Sequence, residues 1–332
     1  METREKNKKS PNEIYPVAVI GGGSAGTMAV MRAVLNNDRC LFFPGTRKHQ
    51  RKSRAFWVTK VENMPDYHHY KKGIQGPNKK TVTWLSQCPL KDNLIHKPNM
   101  GIDKLEKLPD GIFQLADSEG DIHFVRYVIL CTGVMDVQPV IGGTIDPILP
   151  YANVQLADYC LRCDGHHVLG KKVSIIGHGR GAVNIACLLY ERYGPQITLL
   201  PHDHDPLYTE SDLKILKKYK IKIQQGEIVE VLGNYKEKKL EGYRLKNGIE
   251  VNTEITFISL GMIVYNDLAK QAGANMDNRG FVITDEAGLT SVDGLYVAGD
   301  LRANTKKQIY TAWDGAVDSA DAINSRIRRD LR

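Results

Sequence analysis

The sequence contains no long hydrophobic run. Of its 332 residues, 42% are hydrophobic and 25% are charged, and no uninterrupted apolar stretch approaches the roughly 18 residues that cross a bilayer. The charged N-terminus is not followed by the apolar segment of a secretory signal. We therefore expect a cytoplasmic protein with a short, disordered basic tail at its N-terminus and no membrane contact.

Closely spaced cysteines are scarce. Among six cysteines, only Cys160 and Cys163 are separated by as few as two residues. In a reducing compartment such a pair is catalytic or binds a metal rather than stabilising the fold. His166 and His167 follow this cysteine pair, so half of a zinc site is the alternative interpretation. No second pair of closely spaced cysteines is present to complete four ligands. We favour a redox-active pair and expect no metal.

Nucleic-acid-binding motifs are also missing. With 45 Lys and Arg against 38 Asp and Glu, the net charge is +7, which suggests acidic partners. No helix-turn-helix, RNP or zinc-finger pattern accompanies this charge, so we expect no nucleic-acid binding. Most lysines are scattered as on a solvated surface. The dense basic run 47–54 is the exception and could dock an acidic protein.

Two strand–turn–helix units are present instead. In the first, a β-branched run at 14–20 precedes a glycine turn at 21–26 and a helix at 27–35. In the second, a strand at 172–176 precedes a glycine turn and a helix at 183–190. Such turns place backbone N–H groups and a helix N-terminus against a pyrophosphate. The expected ligand contacts are Gly21, Gly23, Ser24, Ala25 and Gly26 in the first turn and, for a possible second nucleotide, Gly177, Gly179, Arg180, Gly181 and Ala182.

FAD is the expected ligand of the first turn. The acidic residue that usually holds a ribose is missing, because the second strand, 40–43, ends in Pro44 and Gly45. A strand with Asp300 at its carboxyl end, followed by a helix that begins near Gln308, supports FAD binding despite this absence. In flavoproteins such an aspartate accepts a hydrogen bond from the ribityl chain, and the helix start faces the N1/O2 edge of the flavin.

The order of these segments predicts an α/β protein with two Rossmann-like domains of the FAD/NAD(P)-binding type, the second inserted into the first. A strand at 124–130 stops at Cys131-Thr132-Gly133, and a strand at 256–260 brings the chain back. We assign residues 1–137 and 260–332 to the FAD domain and residues 138–259 to the inserted domain, which carries the cysteine pair.

The motif Cys160-Leu161-Arg162-Cys163-Asp164-Gly165 resembles the C-x-x-C-D-G of the small thioredoxin reductases, which are class II pyridine-nucleotide disulfide oxidoreductases. Further matches extend the resemblance over nearly the whole chain, from about residue 14 to 325. They are Val61-Glu62-Asn63-Met64-Pro65, Gly73-Ile74-Gln75-Gly76, Cys131-Thr132-Gly133, Gly299-Asp300 and Lys307-Gln308-Ile309.

The resemblance implies roles for these residues. Cys163 would face the flavin, Cys160 would attack the disulfide of a protein such as thioredoxin, and Asp164 would donate a proton. It also implies a homodimer. Further FAD contacts would be Asn63, Thr132, Gly133, Gly299, Asp300, Lys307, Gln308 and Ile309.

The chain departs from this family where NADPH is usually recognised. Relatives carry an arginine cluster after the second strand of the inserted domain, since guanidinium forks hold the 2′-phosphate. Here the strand at 196–200 is followed by Pro201-His202-Asp203-His204-Asp205. We therefore expect an electron donor other than NADPH: NADH held by Asp203 or Asp205, an acidic ferredoxin, or a second flavin. Protonated His202 and His204 could replace the arginines only at low pH.

Two more departures lie near the expected flavin face. The bulky, basic segment 51–57 stands where relatives have G-G-Q, and His166 and His167 replace two aromatic residues after C-D-G. Both histidines are expected to titrate near neutrality, where they could relay protons.

The sequence thus predicts an FAD-dependent enzyme that reduces protein or small disulfides through Cys160 and Cys163. Three alternatives remain: a conventional NADPH-thioredoxin reductase with an atypical phosphate site, a flavin or ferredoxin reductase with vestigial cysteines, and a redox sensor without turnover.

Overall fold

The computed structural model describes residues 13–332, so the expected N-terminal tail lies outside the described residues. The chain forms two compact units. The first contains the chain up to Phe56, Ile74–Val134 and Val264–Arg332, and the second contains Trp57–Gly73 and Met135–Ile263. The second unit therefore differs from the expected inserted domain chiefly by including residues 57–73. Contacts such as Thr59 Oγ1 to the Asn153 carbonyl, 3.1 Å, attach this segment there.

Seventeen strands and ten α-helices make up the described chain. The strands are β1 (Ile14–Ile20), β2 (Cys40–Phe43), β3 (Leu94–His96), β4 (Ile102–Lys107), β5 (Phe113–Asp117), β6 (Ile122–Leu130), β7 (Val134–Asp136), β8 (Ala157–Asp158), β9 (Lys172–Ile176), β10 (Gln196–Leu200), β11 (Lys222–Ile223), β12 (Ile228–Asn234), β13 (Lys239–Leu245), β14 (Glu250–Asn252), β15 (Ile255–Ile258), β16 (Met262–Val264) and β17 (Leu295–Val297).

The helices are α1 (Ser24–Leu35), α2 (Arg47–Arg51), α3 (Arg54–Trp57), α4 (Gln75–Leu85), α5 (Leu149–Asn153), α6 (Leu161–Asp164), α7 (Arg180–Tyr193), α8 (Glu210–Lys218), α9 (Asp267–Gln271) and α10 (Ile309–Asp330). Short 3-10 helices occur at Tyr67–His69, Lys91–Asn93, Gly165–Val168, Tyr235–Glu237 and Gly299–Leu301.

The main sheet of the first unit has the order β3-β2-β1-β6-β5-β4, and β17 also pairs with β6. Strands β3, β2, β1, β6 and β17 are parallel, whereas β4, β5 and β6 form an antiparallel meander. Ile20 pairs with Phe43 on one side and Leu130 on the other. The carboxyl ends of β1, β2 and β6 therefore meet at one edge, which is where open α/β sheets bind ligands.

Alternate residues of β1 pack on opposite faces of this sheet. Val17 and Val19 join a core that includes buried residues of α1 and α10. Ala18 and Ile20 face a second core on the other side. Burial on both faces explains the continuous apolar run, which is typical of a central parallel strand.

A buried hydrogen bond between Asp117 and His123 closes the turn between β5 and β6. The Asp117 carboxylate lies 2.8 Å from His123 Nε2 and accepts the backbone N–H groups of Glu119 and Asp121 at 3.0 Å each. Burial acts to raise the pKa of Asp117, but these hydrogen bonds outweigh it and hold the pKa below its usual value. This carboxylate therefore stabilises the meander in its ionised form.

The second unit is built on a five-stranded parallel sheet in the order β11-β10-β9-β15-β8. Strands β12, β13 and β14 form a separate antiparallel sheet. Strands β7 and β16 form a separate two-stranded sheet.

The structure confirms the predicted fold class. The protein is an α/β protein with two Rossmann-like domains of the FAD/NAD(P)-binding type. No helix within residues 13–332 has the length and apolar character to cross a membrane.

Candidate active site

The first glycine turn follows β1 and leaves no room for side chains at three positions. A Cβ on Gly21 would lie 2.3 Å from the Cys131 carbonyl oxygen, and Gly21 has a φ of +115°. A Cβ on Gly26 would lie 1.7 Å from the Gly21 oxygen, and one on Gly22 would lie 2.8 Å from Pro44. Glycine is required here because the turn packs directly on neighbouring backbone.

Gly23 is different because it faces open space. A Cβ at this position would meet no described atom within 4 Å, although the turn around it is tightly packed. Gly23 is the N-cap of α1, no side chain caps this helix end, and its first turn holds no acidic residue. Uncapped N–H groups beside an open cradle fit the pyrophosphate of a dinucleotide. The turn therefore fits the FAD predicted for it, with Ser24 and Ala25 as the first helical residues.

The segment after β6 lies beside this turn. Thr132 donates its hydroxyl hydrogen to the Tyr265 carbonyl oxygen at 2.6 Å. Gly133 has a φ of +68°, and a Cβ there would meet no described atom within 4 Å. Both residues lie at the carboxyl edge of the sheet, as the sequence predicted, and their contact with FAD stays a prediction.

The fold brings Gly299 and Asp300 to the start of α1. A Cβ on Gly299 would lie 2.8 Å from the Cβ of Ala25, although the two residues are far apart in the sequence. The Arg54 guanidinium donates to Asp300 Oδ2 from Nη1 at 3.3 Å, and each side chain is 20% exposed. Arg54 was not predicted as a site residue, and the only signal for it in the sequence is the basic segment that replaces G-G-Q.

Lys307, Gln308 and Ile309 form the start of α10. Gln308 is the N-cap, and no side chain caps the helix. Lys307 Nζ lies 4.0 Å from the centre of the Phe281 ring and donates to the Arg302 carbonyl oxygen. Burial lowers the pKa of Lys307 to about 8. A second uncapped helix end, supplemented by this cation, thus accompanies Asp300 in the first unit.

Asn63 is the one expected FAD contact outside the first unit. It belongs to the 57–73 segment, which packs with the second unit. Its role in FAD binding stays a prediction.

Cys160 and Cys163 form a disulfide in the second unit, with their Cα atoms 5.3 Å apart. Cys160 is the N-cap of α6, and its Sγ accepts the backbone N–H of Cys163 at 3.2 Å. Both residues are half-buried. The remaining four cysteines, Cys40, Cys88, Cys131 and Cys187, are free thiols. While the two sulfurs are joined to each other, they cannot bind zinc.

His166 and His167 converge on Glu62. Glu62 Oε2 lies 3.1 Å from His166 Nε2 and 2.9 Å from His167 Nε2. On its other side, His167 Nδ1 lies 2.8 Å from the buried Asp158 carboxylate. A carboxylate oxygen of Asp164, one of Asp158 and a ring nitrogen of His167 lie within 4.8 Å of one another. Neither Glu62 nor Asp158 was predicted to be a site residue.

These contacts change the expectation for His167. The hydrogen bond to Asp158 raises the pKa of His167 to about 9, despite the opposing effect of burial. The pKa of His167 is thus raised above the neutral range in which the sequence predicts titration. The hydrogen bond from His167 also lowers the pKa of Glu62.

A comparison with models of known protein families identifies the family of this chain. The model for the pyridine nucleotide-disulphide oxidoreductases matches residues 15–320. The chain belongs to this family. It is accordingly a flavin-dependent disulfide oxidoreductase, as the sequence predicted.

Several relatives of this oxidoreductase resemble it over nearly its full length. The thioredoxin reductase of Treponema pallidum is 26% identical over 94% of this chain and 97% of its own. The thioredoxin reductase of Listeria monocytogenes is 26% identical over 94% of this chain and 94% of its own. The solved thioredoxin reductase of Giardia duodenalis has a TM-score of 0.79 at 20% identity, covering 96% of this chain and 100% of that one.

The second glycine turn of the oxidoreductase also begins an uncapped helix. Gly179 is the N-cap of α7, and a Cβ there would meet no described atom within 4 Å. Arg180 is exposed at the first position of the helix. His178 Nδ1 is buried and has no hydrogen-bond partner among the described residues. These features fit a phosphate-containing ligand, and the binding of a second nucleotide by this turn stays a prediction.

The segment after β10 folds onto this turn. The Leu207 N–H donates to the His178 carbonyl oxygen at 2.7 Å, and the Tyr208 hydroxyl donates to the Gly177 carbonyl oxygen at 2.9 Å. The rings of His178 and His204 lie 4.2 Å apart. The segment is thus held beside the position where a second nucleotide would bind.

His202 cannot act as the low-pH phosphate contact that the sequence suggested. Its Nδ1 accepts the backbone N–H of Ile228 at 2.9 Å, and its Nε2 donates to the Val140 carbonyl oxygen at 2.8 Å. The side chain is buried. Both ring nitrogens are therefore occupied by the fold, and only exposed His204 remains available.

Proposed function

We propose that this oxidoreductase passes electrons from FAD through the Cys160–Cys163 disulfide to the disulfide of a protein of the thioredoxin type. The observation that carries the proposal is the half-buried disulfide at the start of α6, followed directly by Asp164. Relatives of full length that are named thioredoxin reductases support a protein disulfide as the acceptor. A formed disulfide at this position argues against vestigial cysteines.

The chemistry needs two thiol–disulfide exchanges. Bound FAD supplies the electron pair. Reduction breaks the S–S bond and leaves two sulfur nucleophiles, Cys160 and Cys163. The Cys160 thiolate attacks one sulfur of the partner's disulfide and expels the other as a thiolate, which gives a mixed disulfide. The Cys163 thiolate then attacks Cys160, which restores the internal disulfide and releases the second partner thiolate. Two electrons and two protons are transferred in total.

Asp164 is the proposed proton donor to the departing thiolates. It lies one residue from Cys163, and its carboxylate is within 4.8 Å of a ring nitrogen of His167. Because both ring nitrogens of His167 are held by Asp158 and Glu62, we assign His167 to positioning the side chains beside Asp164 rather than to relaying protons.

We further propose that the electron donor is not NADPH. A 2′-phosphate carries close to two negative charges, and the segment after β10 offers Asp203 and Asp205, both exposed, instead of arginines. Each missing charge-assisted hydrogen bond costs about 1.5–3 kcal/mol of binding free energy. Two missing bonds therefore weaken the binding of NADPH by roughly a hundredfold or more. His202 does not compensate, because the fold uses both of its nitrogens.

NADH, an acidic ferredoxin and a second flavin remain as electron donors. His178 Nδ1, which has no hydrogen-bond partner among the described residues, and the open Gly179 favour a ligand such as NADH or a flavin at the second turn. Arg47, Lys48 and Arg51 on α2 are exposed and favour an acidic protein instead.

Anaerobic reduction of the flavin at pH 8 distinguishes these electron donors. We expect micromolar NADPH to bleach the flavin slowly, and NADH or reduced ferredoxin to bleach it faster. If the second turn binds a nucleotide, the matched variant His204→Arg should increase the rate at which NADPH reduces the flavin. Rapid bleaching of the wild-type protein by NADPH, in preference to NADH, would show that this inference is wrong.

A salt series tests the ferredoxin alternative. If ferredoxin is the electron donor, the rate of flavin reduction should fall steeply with ionic strength, and an Arg47→Glu/Lys48→Glu variant should be slower at low salt.

The acceptor can be tested without knowing the electron donor. Photoreduced wild-type protein mixed with oxidised thioredoxin should recover its flavin colour and release thioredoxin thiols. Cys160→Ser should keep FAD but release none. Equal thiol release by both proteins would contradict the proposed role of the pair.

A further inference from the structure

The side chains of Glu62, His166 and His167 form a cluster beside the redox disulfide. Their ligand atoms, Glu62 Oε2 and the two Nε2 atoms, all lie within 4.8 Å of one another. The two measured oxygen–nitrogen distances are 2.9 and 3.1 Å. Both ring nitrogens therefore face the same carboxylate oxygen, and all three potential ligand atoms are close together.

These distances suit a metal ion as well as a shared proton. Zinc lies about 2.0–2.2 Å from imidazole nitrogen and carboxylate oxygen, so two tetrahedral ligands are about 3.4 Å apart. Ligands at right angles would be about 3 Å apart. The observed distances therefore need to open by a few tenths of an ångström at most. Two histidines and one carboxylate are a ligand set typical of borderline divalent metals.

Asp158 supplies the outer contact that such a site needs. Its carboxylate lies 2.8 Å from His167 Nδ1, opposite the nitrogen that faces Glu62. In metal sites a carboxylate at this position fixes the orientation of the ring and raises the basicity of the ligating nitrogen. Asp158 is 5% exposed, and it comes from β8, so the ring is held by the central sheet of the unit.

The backbone explains why two adjacent histidines reach one centre. They lie in the 3-10 helix Gly165–Val168, and their ring centres are 4.5 Å apart with the ring planes inclined by 58°. The side chain of His166 is 50% exposed and that of His167 is 13% exposed. The centre is thus anchored on one side and open to solvent on the other, which leaves room for water or another ligand.

We propose that Glu62, His166 and His167 bind a divalent transition-metal ion of the zinc type, with Asp158 as the outer-shell partner of His167. The ion would join the 57–73 segment to the segment that follows the Cys160–Cys163 disulfide. Three protein ligands leave at least one coordination position of the ion open for water. Hard cations such as Mg²⁺ should not compete, since they prefer oxygen ligands.

Zinc binding to the FAD-loaded, disulfide-oxidised protein tests the proposal. Oxidised protein is used so that the thiols of Cys160 and Cys163 cannot bind the ion. After chelator treatment at pH 8, Zn²⁺ is titrated in competition with a chromophoric chelator. We expect about one Zn²⁺ per chain, unaffected by excess Mg²⁺. His166→Ala and Glu62→Gln should each weaken binding at least tenfold, and Asp158→Asn should weaken it roughly 10- to 100-fold.

The chain provides a matched control in the same segment. Asp66, His68 and His69 form a second group of this composition, but all three residues are exposed. The His68→Ala/His69→Ala variant should therefore bind Zn²⁺ like the wild type. Flavin absorbance and melting temperature establish that each variant is folded, and exposed His166 can be replaced with little effect on packing.

Three outcomes would overturn the proposal. They are no uptake of Zn²⁺ at 100-fold excess over protein, unchanged affinity in both Glu62→Gln and His166→Ala, and loss of binding in the His68→Ala/His69→Ala control. None of these outcomes bears on disulfide reduction, so the test is separate from that of the proposed function.

Discussion

Replacing Gly23 by alanine separates the cofactor role of the first glycine turn from its structural role. The backbone of Gly23 has φ −76° and ψ −166°, which alanine adopts without strain. An added Cβ would meet no described protein atom within 4 Å. The same Cβ would enter the space beside the uncapped N-terminus of α1, where we place the FAD pyrophosphate.

The expected magnitudes follow from this geometry. Alanine is a poorer N-cap than glycine but reduces the entropy of the unfolded chain, and these effects of about 0.4–1 kcal/mol oppose each other. The free energy of unfolding of the apo-protein should therefore change by less than about 1 kcal/mol. Displacing the pyrophosphate from one charge-assisted hydrogen bond costs about 1.5–3 kcal/mol. FAD binding should accordingly weaken roughly 10- to 150-fold.

Two further glycines provide the comparison. A Cβ on Gly26 would lie 1.7 Å from the Gly21 oxygen, so the backbone would have to move at least 1.3 Å to reach the 3.0 Å that real Cβ atoms keep. Gly26→Ala should therefore unfold the first unit or cost about 4 kcal/mol or more. Gly179→Ala, at the equivalent open N-cap of the second turn, should leave both FAD affinity and apo-protein stability unchanged.

The assay is FAD titration of apo-protein, followed by flavin fluorescence, together with thermal melting of each apo-variant. If Gly23→Ala binds FAD as tightly as the wild type, the pyrophosphate does not lie at the start of α1. If Gly23→Ala melts as early as Gly26→Ala, the space beside Gly23 is not open and cannot hold a pyrophosphate.

Three other predictions concern single residues. The wild-type protein should carry non-covalent FAD that denaturation releases, and Cys160→Ser should retain it, as absorbance at 450 nm would show; a colourless protein that FAD cannot reconstitute would contradict the family assignment. Asp117→Ala should lower stability at pH 7 by about 2–4 kcal/mol. Because the pKa of Asp117 is lowered in the fold, its contribution is present above the unfolded value of about 3.9 and is lost as pH falls through the folded value. Denaturant melts at pH 7 and pH 3 should show the difference between Asp117→Ala and wild type shrinking in acid, and a constant difference would refute the linkage. His202→Ala should lower the melting temperature through two lost buried hydrogen bonds, about 2–3 kcal/mol in total, without changing the preference between NADH and NADPH; a changed preference would mean that His202 reads the phosphate.

Much of the local structure was predictable from the sequence. Strands β1, β2, β9 and β10 have the bounds that their apolar runs indicated, and both glycine turns lie between a strand and a helix. These features depend on neighbouring residues alone, because a buried parallel strand needs a continuous apolar run and a tight turn needs glycine. Helices α1 and α7 are longer than the predicted helices at 27–35 and 183–190. Helix α1 begins at Ser24 rather than Thr27, because the turn directs the first helical N–H groups into the open cradle at Gly23.

The sequence by itself determined the fold class, the two glycine turns and the adjacent cysteines that form the disulfide. Only the tertiary structure decided which distant charges meet. Arg54 contacts Asp300 across 246 positions, and Glu62 contacts His167 across 105. No local pattern encodes such pairs, because they depend on where separate segments are packed. The packing of residues 57–73 within the second unit places Glu62 on one side of the His167 imidazole, and the hydrogen bond to Asp158 on the other side raises the pKa of that ring.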